Sequence, residues 1–315
     1  MTQERDLQIA DHALRYRLRS SRDNISRRIG RTLAVWLVAV FAVVLAGSRV
    51  QAADKVLTMT TTSTVTTLNP YGESEAQAFF IWCQVYGCLG RIDYITKQLK
   101  GELAQNWEII NPTTWRYKLR TDLKRQDGGP GPTSEDVVHS WKRLMNDPES
   151  AQRWIMLGIK EIVAVDSSTF DIITDTPTVE VNTSLFGQFI ITSKELFEKY
   201  GPEAYRSRRS GWGPYKLENF EVDQRIVLRK SDVWPEKAPA APDVVIYRQM
   251  REAEQRVTAV LNDEVQVARL IPPQLVDRFK GQSRVKIAEM DSLEIMFMTF
   301  NATMPPWNDR RVRQA

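Results

Sequence analysis

An uncharged apolar run of fourteen residues, Leu33–Ala46, divides this chain into two parts with different physics. Arg27, Arg28 and Arg31 stand just ahead of it. Gly47-Ser48-Arg49-Val50-Gln51-Ala52 follows, with small or short side chains at the −3 and −1 positions of a cut after Ala52. A basic segment, an apolar segment and a small-residue exit make up a secretory signal. The run is shorter than the ~18–20 apolar residues that cross a bilayer. Removal after Ala52 is therefore the expectation, with a retained N-terminal membrane anchor as the alternative. The basic end stays cytoplasmic in either case. Ser26-Arg27-Arg28 hints at twin-arginine export, but the strong apolar run favours the general route. The absence of a cysteine after the run gives no support to a lipoprotein anchor.

Charge follows the same division. Nine arginines against Glu4, Asp6, Asp11 and Asp23 leave residues 1–52 at +5, so in a chain of net charge +4 the remainder carries −1. The basic pI belongs to the leader and is no argument for nucleic acid, which calls for a basic stripe on the folded domain. The whole chain is 42% hydrophobic and 26% charged, as a globular protein is. Its nine tryptophans, eight of them after Ala52, fit a large core.

Along residues 53–315 the periodicity changes repeatedly. A first strand, Val56–Thr60, runs into a Thr-rich stretch that ends at Leu68-Asn69-Pro70-Tyr71, where Pro70 sets a turn. An apolar helix is expected over Ala76–Leu89. Thr114–Leu119 alternates as a half-buried strand. After a Gly/Pro turn, Thr133 caps a helix over Val137–Met145, with Glu135 and Asp136 in its first turn. Ile159–Val165 and Phe170–Thr174 form a hairpin, and Lys194–Tyr200 a short helix. Gly211–Leu217 is a turn feeding a strand that pairs with Ile226–Arg229. Val244–Tyr247 reads as a strand, Glu252–Leu261 as an amphipathic helix, and Glu264–Ala268 and Glu294–Phe300 as strands. This irregular alternation predicts a mixed α/β protein of more than one lobe. Cys83 and Cys88 fall in the apolar helix. Positions five apart on a helix point in different directions, so two buried free thiols are expected, although an oxidising compartment would permit a bridge.

Residues that could carry catalysis are sparse. Gly211-x-Gly213 precedes Pro214 and a strand, whereas a phosphate-cradling loop opens a helix. His139 is the one histidine after the leader. It shares a helix with Trp141 and Leu144 and reads as a packed or solvated helix residue. Glu135-Asp136 is explained by the helix start. These patterns point away from an enzyme, and no cofactor or metal is expected.

Eight segments, in order, resemble the extracellular solute-binding proteins of peptide-type ABC importers, family 5. They are Leu68–Tyr71, Leu103–Glu108 with Trp115–Arg120, Ser134–Leu144, Ala164–Phe170, Gly211–Leu217, Trp234–Arg248, Asp263–Ala268 and Phe300–Ala315. The last reads FNATMPPWNDRRVRQA, close to the family's FN…PPF-D-RVRQA phrase. Departures are Asp263 in place of the usual Gly, Gln266 in place of Asp, and Gly128–Gly131 in place of His-Asp-Gly.

The resemblance implies an α/β fold of the two-lobed, periplasmic-binding-protein type II (Venus-flytrap) kind. The expected layout is signal peptide 1–52, opening strand of the first lobe 53–70, its subdomain 71–210, first lobe continued 211–292, and the start of a second lobe 293–315. Because the closing phrase stops as a helix begins, the chain is expected to be the front part of something longer. Residues 53–315 alone are then expected to bind ligand weakly or not at all. The implied function is capture of peptides or similar polar solutes in the periplasm by hinge closure. Delivery would be to the permease and ATPase subunits of an importer, by a monomer that binds no nucleic acid. In such proteins the loop after the first strand and the segment ahead of the FN phrase line the cleft. That makes Thr64, Thr66, Tyr71, Glu73 and Ser292 the candidate ligand-binding residues. Phe79 and Trp82 are assigned to the core, and Arg206, Arg208 and Arg209 to a solvated turn. An oligosaccharide- or nickel-binding relative, a membrane-anchored interaction protein and a non-functional truncated product remain as alternatives.

Overall fold

The computed structural model describes residues 53–63, 65–93, 96–236, 238–289 and 298–314. The leader, Thr64, Ser292 and residues 294–297 of the expected last strand lie outside the described residues. Residues 55–315 form one compact unit. Strand β1 (Val56–Thr61) leads through a long loop to helix α1 (Ala76–Val85). A ribbon of β2 (Gly90–Ile92) and β3 (Leu99–Gly101) follows, then β4 (Ala104–Asn111), β5 (Thr114–Leu119) and helix α2 (Ser134–Asn146). The hairpin of β6 (Ile159–Ala164) and β7 (Thr169–Thr174) precedes three short helices, α3 (Val181–Leu185), α4 (Lys194–Tyr200) and α5 (Glu203–Arg206). Then come β8 (Tyr215–Glu221), β9 (Arg225–Lys230), β10 (Val244–Gln249), α6 (Ala253–Leu261) and finally α7 (Arg310–Gln314).

Two four-stranded sheets carry the core. One has the order β4-β5-β7-β6 and is antiparallel throughout. Its register is set on both faces of β5, because alternation sends Trp115, Tyr117 and Leu119 inward. Tyr117 stands opposite Phe170 with stacked rings 5.2 Å apart. On the outer face Arg116 makes two 2.8 Å hydrogen bonds to its cross-strand partner Asp171. Helix α2 begins as its sequence predicts. Thr133 and Asp136 form a reciprocal capping box, and the Asp136 side chain also accepts the Lys194 backbone N–H at 2.8 Å.

The other sheet has the order β1-β10-β9-β8, in which β1 and β10 are parallel. Parallel pairing needs a long crossover; here it is everything between Thr61 and Val244, including the whole first sheet. Helix α1 fills the interior beside β8, with Phe79, Ile81, Trp82, Cys83 and Val85 all buried. A helix apolar all round belongs inside a core, so Phe79 and Trp82 are core residues as expected. Trp82 meets Tyr86 and Phe220 at ring distances of 6.0 and 6.4 Å.

Three expectations fail here, each for a tertiary reason, and the first two share one cause. Helix α1 stops at Val85 rather than Leu89, because the chain reverses at Gly87, whose φ is 103°. The backbone N–H groups of Gly213 and Trp212 donate to the final carbonyls, Val85 at 3.1 Å and Tyr86 at 2.9 Å. The reversal folds Cys88 back on Cys83. Their Cα atoms lie 5.2 Å apart and the two are joined in a disulfide, not left as free thiols. A continuous helix would separate them by about 7.5 Å of axial rise alone. Opening so short a loop costs about 2 kcal/mol in the chain-entropy account. The reduced protein should therefore unfold at lower denaturant than the oxidised one, and a C83S/C88S variant should show no such response to reductant. The third failure is the strand expected over 264–268, which shrinks to a single parallel bridge between Val267 and Met59 on the open edge of β1.

Candidate functional site

Because β1 and β10 are parallel, their carboxyl ends open on the same side, the usual ligand side of an α/β sheet. Three pieces of chain converge there: the loop 62–75, the start of α1, and the segment 266–270 that crosses the end of β1. The crossing segment is hydrogen-bonded in place. Thr58 O accepts the Gln266 N–H at 2.9 Å, Thr60 N–H donates to Val267 O at 2.9 Å, and buried Thr60 accepts the Arg269 N–H on its hydroxyl at 3.2 Å. The Arg269 guanidinium then donates to Gln77 Oε1 at 3.0 Å and lies 5.5 Å from the ring centre of Phe80. Phe80 is 40% exposed, whereas its neighbours Phe79 and Ile81 are buried. Tyr247 of β10 sits close enough for the Arg269 charge to act on it. Burial pushes its hydroxyl up to about 12 against that influence. The depression bounded by Thr61, Ser63, Ile81, Tyr247 and Gln249 encloses only about 10 Å³. This face is a wall, not a closed chamber.

Behind it stands Arg256 of α6, 4% exposed. Its guanidinium donates to the carbonyls of Met250 and Arg251, just after β10, and of Arg269 and Leu270 in the crossing segment, at 2.6–3.1 Å. The short turn at Asp263 that starts this return has φ 60°. A left-handed backbone is easiest for Gly and next for Asp or Asn, which accounts for Asp263 where Gly is usual in the resembled family.

Of the residues expected to bind ligand, Thr64 and Ser292 lie outside the described residues. The structure brings the other three together within the loop 62–75, chiefly as braces. Glu73 folds back so that one carboxylate oxygen accepts the backbone N–H groups of Thr66 and Thr67 and the Thr66 hydroxyl. Tyr71 has no exposed surface. Its hydroxyl bonds Thr192 Oγ1 at 2.9 Å and Ile190 O at 3.3 Å. Its backbone N–H donates to Asn69 Oδ1 at 3.1 Å, in the turn that Pro70 predicted. Buried Gln152 completes the brace, donating to Pro70 O and Glu73 O at 2.7 Å each. Sequence reasoning missed Gln77, Phe80, Tyr247, Arg256 and Arg269. The only signal available was Phe80, the odd residue in an apolar helix that leaves room for one outward-facing ring.

A larger cavity of about 590 Å³ lies where α2 and α4 begin, beside Trp212. Most of its charges are spent on ion pairs. Arg125 pairs with Asp127 and Glu195 and bonds Ser193, while Lys194 pairs with Glu135. On the same helix His139 packs against Phe197, with ring centres 5.2 Å apart. Burial, reinforced by Arg143, Lys194 and Lys142, pushes its imidazole down to about 4 from 6.5. The unfolded chain therefore takes up a proton near pH 6.5 that the folded chain refuses until about pH 4. This contribution to stability is whole above pH 6.5, is lost progressively as pH falls toward 4, and levels off below. Asp136 and Glu102, raised by burial, act in the opposite sense as the pH falls through their own range. The melting temperature of H139Q should fall less than that of wild type across this window; parallel profiles would sink the assignment. Among the described residues no group of three or more His, Cys, Asp or Glu could hold a metal, and no helix is long and apolar enough to cross a membrane.

Residues 98–315 match the family described as bacterial extracellular solute-binding proteins, family 5 (Middle). The dipeptide-binding protein of Escherichia coli K12 is 27% identical over 236 residues, covering 68% of this chain and 44% of that protein. The chain spans about half the length of the curated relatives it matches. A dipeptide-binding protein from Pseudoalteromonas sp. SM9913, solved with Met-Leu, shares the fold with a TM-score of 0.71 at 19% identity, over 82% of this chain and 56% of the other. MoaA from A. tumefaciens R10, solved with mannopinic acid, gives a TM-score of 0.68 at 26% identity, over 83% and 54%. The capping box of α2, the Gly211–Leu217 turn and the β1/β10 pairing thus sit in a known architecture. The chain belongs to the bacterial extracellular solute-binding proteins, family 5.

Proposed function

We propose that this chain forms one wall of a periplasmic solute-binding protein that captures peptides or similarly sized polar solutes for an ABC importer. The observation that carries the reading is the open end of the parallel β1/β10 pair. It has polar, aromatic and cationic side chains on its rim, and behind them a loop braced by Thr66, Tyr71, Glu73 and Gln152. A wall made rigid before ligand arrives loses less entropy on binding. The relatives support the solute class, since those named above are called dipeptide-binding or were solved with Met-Leu or mannopinic acid.

In this reading Thr66 and Glu73 shape the loop against which the solute lies, while Tyr71 ties that loop to the core. Thr64 and Ser292 are proposed to face the solute. Residues 53–70 and 211–292 contribute the first lobe, 71–210 its subdomain, and 293–315 the entry to a second lobe. Solute bridging both lobes would stabilise the shut form, which docks on the permease. The chain does no covalent chemistry, and the ATPase subunits supply the energy. Export would use residues 1–52 as a cleaved signal and deliver a monomer to the periplasm.

Calorimetric titration of the full chain with trialanine tests the capture reading. Weak one-to-one binding is expected of one wall alone; no heat at millimolar peptide would count against capture, and tight binding would count against the one-wall reading. The mass of the protein recovered from a periplasmic extract tests export, with a start at Ala53 expected and a start at Met1 favouring the anchor.

A further inference from the structure

Arg269 is in an unusual position for a cation in this protein. Around it Arg248 pairs with Glu264, Arg251 with Asp223, Arg278 with Glu254 and Arg284 with Asp263, while Arg256 spends its donors on four main-chain carbonyls. Among the described residues Arg269 pairs with no carboxylate, although it is only partly exposed. Its side-chain hydrogen bond runs to a neutral acceptor, Gln77 Oε1, and Gln77 is itself buried. Leaving a half-desolvated charge without a counter-charge is costly. Here the cost is met by fixing the group from every side. The Arg269 N–H is held by Thr60, its carbonyl by Arg256 at 3.1 Å, and its guanidinium by Gln77 and the face of Phe80. A guanidinium has five N–H donors in a rigid fork. One bond to Gln77 leaves donors available at the open end of β1 and β10.

We infer that Arg269 is the anion-recognising group of this wall, the fork that takes a carboxylate of the captured solute. The inference rests on the solute-capture reading and narrows its substrate class to carboxylate-bearing solutes. Phe80 supplies the apolar surface beside the fork, and Gln77 fixes its angle. The carboxylate can be the free end of a peptide or one end of a small diacid, and the two are separable by experiment.

The full chain is titrated with trialanine, with trialanine amide and with glutarate, and melted with and without each. Trialanine is expected to bind about 10- to 100-fold more tightly than its amide, the range for a charge-assisted bond. R269Q should abolish that preference, and R269K should keep part of it, because a point charge survives where the fork does not. Glutarate should raise the Tm of wild type but not of R269Q. A glutarate response without tripeptide binding keeps the anion site and refutes peptide capture. Equal affinity for trialanine and its amide, unchanged in R269Q, keeps solute capture and overturns the role of Arg269. Silence of wild type toward all three probes overturns both. Should R269Q fail to fold, the wild-type preference for acid over amide and its reduction in R269K decide the matter.

Discussion

R256M is expected to lose about 3–5 kcal/mol of unfolding free energy. Arg256 sits at the junction of two returning loops and bonds four main-chain carbonyls, those of Met250, Arg251, Arg269 and Leu270. No acid shares in these bonds. The guanidinium is held by carbonyl dipoles; burial pushes its pKa down, against the nearby Glu252 charge, which pushes it up. It nonetheless stays charged, since arginine is not deprotonated in proteins. Methionine has similar reach but donates nothing, so all four carbonyls would lose this donor, the buried one at Met250 included. Leu270 adds to the loss, because its left-handed φ of 52° is tolerated only while something holds it there. R256K should fall between the two proteins, with three donors on a point where Arg has a fork. The check is the urea midpoint of the three proteins with m unchanged. A loss below about 1 kcal/mol for R256M would mean that water replaces the guanidinium and that the loops hold without it. The same variant should weaken the acid-over-amide preference, because the carbonyl of Arg269 is one of its four anchors.

G213V is expected to cost about 3 kcal/mol or more. A Cβ at Gly213 would lie 2.1 Å from Gln84 O and 2.5 Å from Gln84 C, both main-chain atoms of α1. Nothing at the far end of a flexible side chain can give way. The clash must either unwind the last turn of α1 or lift the 211–213 segment away, which also breaks its bonds to Val85 and Tyr86. Gly158 makes the useful comparison. It has φ 82° and open space around it, so G158A meets backbone strain alone, about 1–2 kcal/mol. Guanidinium unfolding of both variants should rank G213V well below G158A. The reverse order would show that close approach at α1 is not what demands glycine there.

That Gly-Trp-Gly segment also shows how far sequence reading reaches. Its spacing suggested a phosphate loop only until Pro214 and the following strand ruled that out. What the glycines do instead, capping the end of a helix more than 120 residues earlier, has no local signature. The same holds for Cys83 and Cys88. Read as a helix, their spacing forbids a bridge; the reversal at Gly87, closed by Gly213 and Trp212, makes one. In the candidate site, the family resemblance points to Thr66, Tyr71 and Glu73 because they sit on the loop after the first strand. The structure shows them bracing that loop, and it adds Arg269 and Gln77, which lie 192 positions apart.

Features with short-range causes were readable from the residues. These include the Thr133–Asp136 cap, the alternation of β5, the Lys194–Tyr200 helix, the β8–β9 and β6–β7 hairpins, the Pro70 turn and the mixed α/β class. Each depends on interactions within a few residues, where propensity and periodicity act directly. The parallel pairing of β1 with β10, the disulfide, the blunted edge of β1 and the paired roles of Arg256 and Arg269 came only with the folded chain. They arise where segments far apart in sequence must satisfy each other's buried carbonyls and charges, and no local pattern encodes which partner a buried donor will find.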